Sequence, residues 1–316
     1  MEIGLLFPGQ GSQYVGMGSK LWDAYPVARK TYEEADSILG FSLSELSFRG
    51  PEEALKETRN TQPAIFVHSI AAFRVLSEAG LRPVVAAGHS LGEYSALTAT
   101  RSLSFSDALP LVRKRGELMY EAGVKRPGTM AAILGLTEEQ VEDLCRDASQ
   151  LGIVQPANLN SAKQIVISGE IAAVEEAVKI ASERGAKRAV KLPVSGAFHS
   201  PLMQSASEGL SGLLSQVRIG SASFPVVANF SASAVMEPEE IRRNLAQQVL
   251  GAVRWQESVD CMLSRGVKHF VEVGPGNVLK GLMRGIDRGA TVLCAASPSE
   301  VEQVATFLKK EGANAR

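Results

Sequence analysis

Ser90 stands in the pentapeptide Gly88-His89-Ser90-Leu91-Gly92, and its neighbours on both sides make it a candidate nucleophile. The apolar run 84–87 before it reads as a short strand, and LGEYSALTAT after it opens a helix. Gly-x-Ser-x-Gly between a strand and a helix is the setting of a nucleophile elbow. The serine sits on a turn so sharp that larger neighbours would clash, and its Oγ is lifted clear of the sheet. The next amide, that of Leu91, lies at a helix N-terminus, where unpaired N–H groups and the helix dipole favour a developing anion. A chance turn of small residues is the plainer alternative, and the strand–helix context speaks against it.

A serine needs a base, and histidine is the usual one. The chain has four histidines. His89 neighbours Ser90 along the strand and points the other way. His68 is mid-helix, and His269 precedes the apolar strand FVEV. His199, in SGAFHSPLM, sits where an inserted segment hands the chain back, and loops at such junctions line clefts. His199 is therefore the candidate base; the alternative is a surface histidine capping the next helix. The glycine-rich LLFPGQGSQYVGMGSK near the start fits neither phosphate-loop template: the first needs Gly at Tyr14, the second a Lys after Gly16.

The elements that must hold these residues follow from pattern. EIGLLF is a buried strand stopped by Pro8 and Gly9, and a helix is expected over 16–24. YPVARKTYEEADSILG and TQPAIFVHSIAAFRVLSEAG read as helices, as does SFSDALPLVRKRGELMYEAG, with Pro110 near its first turns. After Arg126 the texture changes to strand GTMAAILGL, helix TEEQVEDLCRDAS with a Thr cap, strands GIVQPANLN and KQIVISG, helix EIAAVEEAVKIASERG and strand AKRAVKLPVS. Strand, helix, strand, strand, helix, strand is the ferredoxin-like order. It predicts a small domain over 126–195 inserted into a larger one formed by 1–125 and 196–316. The chain returns with a helix over FHSPLMQSASEGLSGLLSQV and strands FPVVANFS, VKHFVEVG and TVLCAAS. Strands alternating with helices predict a parallel α/β sheet covered on both faces.

Composition narrows the function. The 316 residues carry a formal charge of -1, so no bulk field favours nucleic acid or an acidic membrane. Cys145, Cys261 and Cys294 lie far apart, which argues against a zinc site and a disulfide framework; Cys145 reads as a small buried helix residue. No signal peptide or bilayer-spanning run is evident, so the cytoplasm is the expected compartment.

FPGQGSQYVGMG, TQPAIF, GHSLGEYSAL, Arg115 with Gly116, GTMAAILGL, NSAKQIVISG, GAFHSPLM and VEVGPGNVL occur in that order along nearly the whole chain. Together they resemble the malonyl-CoA:acyl-carrier-protein transacylases, relatives of the acyltransferase domains of polyketide and animal fatty acid synthases. The resemblance implies an α/β-hydrolase-like large domain with the inserted ferredoxin-like domain. It implies malonyl transfer from malonyl-CoA to acyl carrier protein, for fatty acid or polyketide synthesis. It implies no metal and no bound cofactor, while the charge and the apolar runs already read above predict no nucleic-acid or membrane partner.

Residue roles come with the resemblance. Ser90 is the nucleophile and His199 the base. The backbone N–H of Gln10 joins that of Leu91 as oxyanion donor. Arg115, which in VRKRGE reads on its own as a solvated charge, would grip the malonyl carboxylate, a match its planar fork suits. Gln248 is the position matched to the carbonyl that orients the histidine. Gln62 and Asn160 match polar positions near the site. Phe198 would crowd an α-methyl and favour malonyl over methylmalonyl. An acidic carrier protein implies a basic docking patch, for which Lys187, Arg188, Lys191, Lys163 and Arg265 are candidates. A serine hydrolase is the competing class. Its usual order is Ser, then Asp or Glu, then His, and most acids between Ser90 and His199 fall in the amphipathic helices of the insert. A carrier-binding module with a vestigial site is the third reading, and the presence of Ser90, His199 and Arg115 argues against it.

Overall fold

The structure is a computed structural model that describes residues 2–194 and 196–314, with side chains described to residue 310. Ser195, where the inserted domain was expected to end, and the last two residues of the chain lie outside the described residues. Strands β1 (Ile3–Phe7) and β2 (Val85–Gly88) come first. Next come β3 (Thr129–Leu134), β4 (Val154–Ser161), β5 (Gln164–Gly169) and β6 (Arg188–Lys191). The last are β7 (Val226–Val227), β8 (Ala234–Val235), β9 (His269–Glu272) and β10 (Thr291–Cys294).

The larger sheet has the order β10-β9-β1-β2-β7-β8. All its pairings are parallel except β7 with β8. The apolar strands are buried on both faces because their side chains alternate between two cores. Leu5, Phe7, Ala86 and Val271 face one core, with Phe66 of the helix Thr58–Glu78 and Tyr94 of the helix Gly92–Ala99. Leu6, Val85, Ala87 and Phe270 face the other, against Trp255, Val259 and Met262 of the helix Trp255–Ser264. Each such Leu or Phe contributes about 1.5–3 kcal/mol by burial, so β1 is held from both sides.

The smaller sheet is antiparallel with the order β4-β5-β3-β6, the ferredoxin-like arrangement. Ala131 and Ile133 of β3 pack on the helices Glu138–Ala148 and Ile171–Glu183. The first of these helices opens with a reciprocal cap between Thr137 and Gln140. Met130 and Val166, on the opposite face, turn towards the core of the larger sheet. The fold is thus an α/β-hydrolase-like sheet with a ferredoxin-like unit inserted between β2 and β7.

Four elements differ from the sequence reading. The helix expected over 16–24 begins at Ser19. The helix expected from Thr61 begins at Thr58 and carries Pro63 inside its second turn. Only Val226 and Val227 of FPVVANFS are strand, because the chain folds back at once and Ala228 N–H bonds Ser233 O at 3.0 Å. The resulting β8 adds an antiparallel edge to a sheet expected to be parallel. After His199 a short 3-10 turn, Pro201–Met203, precedes the helix Gln204–Leu214.

Candidate active site

The turn after β2 holds Ser90 at a φ of +50°, a left-handed conformation that side chains other than glycine rarely adopt. Packing enforces it. A Cβ on Gly88 would run into the Gly92 carbonyl, and one on Gly92 would run into the Phe7 carbonyl at the end of β1. The two glycines let strand, turn and helix close on one another. Asn229, in the turn after β7, fastens the elbow: its Oδ1 accepts the Ser90 N–H at 2.7 Å and its Nδ2 donates to Gly88 O at 2.7 Å.

His199 meets this serine from the far side of the inserted unit. Its Nε2 lies 2.8 Å from Ser90 Oγ. Its Nδ1–H donates to the main-chain carbonyls of Gln248 at 2.8 Å and Gly251 at 3.1 Å, which leaves Nε2 as the acceptor. The ring is 3% exposed. Burial first, and then the positive charge of Arg115, push its pKa down to about 3, so the ring is neutral at neutral pH and its Nε2 lone pair faces the Ser90 hydroxyl. His89, as expected, turns away, with its Nε2 2.8 Å from Asn160 Oδ1.

Arg115 is the largest departure from ordinary surface behaviour, being 1% exposed. Its Nη1 donates to Gln62 Oε1 at 2.6 Å, and its Nη2 to both Ser90 Oγ and Gln248 Oε1 at 3.0 Å. Burial lowers its pKa from the usual arginine value, yet a guanidinium stays charged. The Tyr94 ring lies 5.5 Å from the guanidinium carbon, and the Arg115 Nε–H is buried with no acceptor among the described residues. Gln248 thus does two things: its main-chain carbonyl holds His199, and its side chain joins Arg115 to the elbow. The Gln248 Nε2 donates to Ser90 O at 2.9 Å and Glu93 Oε2 at 2.7 Å.

The Gly9–Gly11 loop reaches the same place. A Cβ on Gly9 would strike the His89 carbonyl, so only glycine lets this loop lie against the elbow. The main-chain N–H groups of Gln10 and Leu91 have no acceptor among the described residues. Both residues line a cavity of about 100 Å³ together with Ser90, Arg115, Gln62 and Phe198. Asn160 does not reach that cavity. It lines the adjoining cleft of about 470 Å³, which shares Gln10, His89 and Leu192 with the first and is walled by β3, β5 and the helix Val278–Ile286. Among the described residues no group of three or more His, Cys, Asp and Glu side chains could hold a metal, and no helix is long and apolar enough to cross a membrane.

The proposed docking residues are only partly gathered. Lys163 and Lys187 bond Gly135 and Leu134 through their backbones, and Arg188 pairs with Leu134 across β6 and β3. Lys191 is engaged with Glu175 at 2.7 Å, and Arg265 ends a helix of the larger unit, apart from the rest.

Sequence reasoning missed Asn229 and Glu93. Glu93 is buried, accepts from Asn229 N at 3.0 Å and from Gln248, and burial pushes its pKa up to about 7. An acid inside an otherwise uncharged, buried elbow helix was a visible anomaly. The burial of Arg115 also had a signal: Leu111, Val112, Arg115 and Met119 recur at helical spacing and share the buried face. Arg113 and Lys114, off that face, pair with Glu117 at 2.8 and 3.0 Å.

The acyl transferase domain family matches residues 5–316. The malonyl CoA-acyl carrier protein transacylase of Bacillus subtilis is 45% identical over 315 residues, covering 99% of each chain. The solved structure of the malonyl CoA-acyl carrier protein transacylase of Coxiella burnetii superposes with a TM-score of 0.94 at 40% identity, over 96% of this chain and 97% of that one. A chain from the complex of a type II PKS acyl-carrier protein with its malonyl-transacylase gives the same TM-score of 0.94 at 40% identity, over 97% of this chain and 100% of the matched one.

Proposed function

The chain belongs to the acyl transferase domain family, and from that premise we propose that it carries a malonyl group from malonyl-CoA to the phosphopantetheine thiol of acyl carrier protein. The observation that carries the reading is a single oxygen with two partners. Ser90 Oγ lies 2.8 Å from the His199 base and 3.0 Å from an Arg115 Nη2 that is buried and charged. A nucleophile next to a buried guanidinium suits an acyl group that ends in a carboxylate.

In the first half-reaction His199 Nε2 takes the Ser90 proton as Oγ attacks the thioester carbonyl. The oxyanion is received by the N–H groups of Gln10 and Leu91, each worth about 3–4 kcal/mol of barrier. CoA leaves as its thiol with the proton from His199, and malonyl remains as a Ser90 ester. In the second half-reaction His199 takes the proton of the carrier thiol, the thiolate attacks the ester, and Ser90 leaves with that proton. The nucleophile, base and oxyanion donors all come from this chain, and neither metal nor bound cofactor is invoked. Arg115 holds the distal carboxylate throughout. Phe198 narrows the pocket against an α-methyl. Gln62 and Gln248 hold Arg115, and Asn160 orients His89 at the mouth of the cleft.

Two main-chain carbonyls behind Nδ1 stabilise an imidazolium less than a carboxylate would. That favours an acidic thiol over water as acceptor. Residues 126–195, with their own apolar core, are proposed as the inserted domain that walls the cleft, and the cytoplasm as the setting. The class is tested by supplying labelled malonyl-CoA with saturating holo carrier protein and measuring label in carrier thioester and in free malonate. Label in the carrier is expected; malonate release dominating would make the protein a hydrolase.

A further inference from the structure

His199 is held in a conformation that its own sequence does not favour. Its φ is +58°, in the left-handed region, where strain of about 1–3 kcal/mol persists only if the surroundings impose it. The ring is held by the Gln248 and Gly251 carbonyls. The backbone is held from a different unit of the fold. Gln155 of β4 donates its Nε2–H to the His199 carbonyl at 3.0 Å, with a longer contact of 3.5 Å to Leu250 O.

The same strand grips the loop that carries those ring-holding carbonyls. β4 is the edge of the smaller sheet. Its pairing with β5 slips between Pro156 and Asn158, an irregularity that takes Ala157 out of the ladder. Ala157 O instead accepts Val253 N–H at 2.8 Å, and Leu159 N–H donates to Val253 O at 2.9 Å. One edge strand therefore touches the His199 peptide, the Leu250 carbonyl and Val253, and Gln248 and Gly251 lie between or beside those points.

We infer that Gln155 is a positioning residue for the general base: it locks the His199 peptide to the carbonyl loop, so that the edge of the inserted sheet sets the aim of Nε2 at Ser90. The inference rests on the reading of His199 as base. It goes beyond that reading by making the inserted unit, which otherwise only walls the cleft, a part of the catalytic alignment. Gln155 itself does not line the cavity at Ser90.

Gln155→Leu removes both donated bonds, and Gln155→Glu keeps the shape while offering no N–H to the two carbonyls. For each variant two quantities are measured: kcat and KM for malonyl-CoA with saturating carrier protein, and the Nδ1–H proton resonance of His199, identified by its loss in His199→Ala. The expected result is kcat lower by on the order of tenfold to a hundredfold with KM within about twofold, and a His199 resonance shifted or broadened. If Gln155→Leu does not fold, the isosteric Gln155→Glu is read alone. Unchanged kcat, a rise in KM alone, or a fall in kcat with the resonance unmoved would each overturn the inference. Failure of the underlying reading looks different: Ser90→Ala or His199→Ala would still transfer malonyl.

Discussion

A guanidinium sealed from solvent needs acceptors for its N–H groups, and those the fold gives Arg115 are neutral: Gln62 Oε1, Gln248 Oε1 and Ser90 Oγ. Burying a charge against neutral partners is costly, and an anion in the adjoining cavity offsets that cost. Arg115→Ala is therefore expected to lower kcat/KM for malonyl-CoA by about 10²–10³-fold, the scale of losing one partner of a buried charge pair. Acetyl-CoA, which has no carboxylate to lose, should be transferred relatively better. Competition between the two thioesters checks this; equal loss of both would remove the carboxylate grip from the mechanism. The residue was hard to read because two facts about it are of different kinds. Its burial follows from its helix phase with Leu111, Val112 and Met119. Its partners come from Gln62 and Gln248, 53 and 133 residues away, and nothing in VRKRGE hints at them.

The elbow is where local sequence and tertiary packing meet. Its strand–turn–helix form was legible because every part of it, including the flanking glycines, lies within a few residues of Ser90. What holds it was not. Asn229 acts on Ser90 from 139 residues away, two positions past a strand of two residues. Asn229→Ala would leave the Ser90 N–H without its acceptor and Gly88 O without its donor. A loss of about 1–3 kcal/mol in urea unfolding is expected for the first of these, together with a fall in kcat as the serine loses its fixed turn. Unchanged unfolding and unchanged kcat would show that Gly88 and Gly92 suffice. The ferredoxin-like unit was legible for a related reason: its alternating strands and amphipathic helices, the first of them capped by Thr137, carry their period in their own sequence. The hairpin of β7 and β8 has too few residues to show a period, so the antiparallel edge went unseen.

At the scale of the whole molecule, buried titratable groups set how stability varies with acidity. Burial pushes His68 down to about 4 and His199 down to about 3, and lowers His89, from an ordinary 6.5. The unfolded chain thus binds protons that the folded chain refuses, and stability falls as pH drops below 6.5. Glu93 works in the opposite sense. Its folded pKa, raised from 4.5 to about 7, lets the native state hold a proton first, so acidification through that window stabilises. Melting temperatures at pH 7 and pH 5 are expected to drop less in His68→Leu than in the parent, and more in Glu93→Gln. Equal drops in all three would refute these assignments. The two units of the fold converge on one event, formation and discharge of an acyl-serine, and that event can be weighed directly. The protein is incubated with malonyl-CoA, digested and analysed by mass spectrometry before and after holo carrier protein is added. The expected result is a malonyl adduct on the peptide containing Ser90 that persists in water and disappears when the carrier thiol arrives. An unmodified Ser90 peptide while malonyl reaches the carrier at full rate would contradict the mechanism.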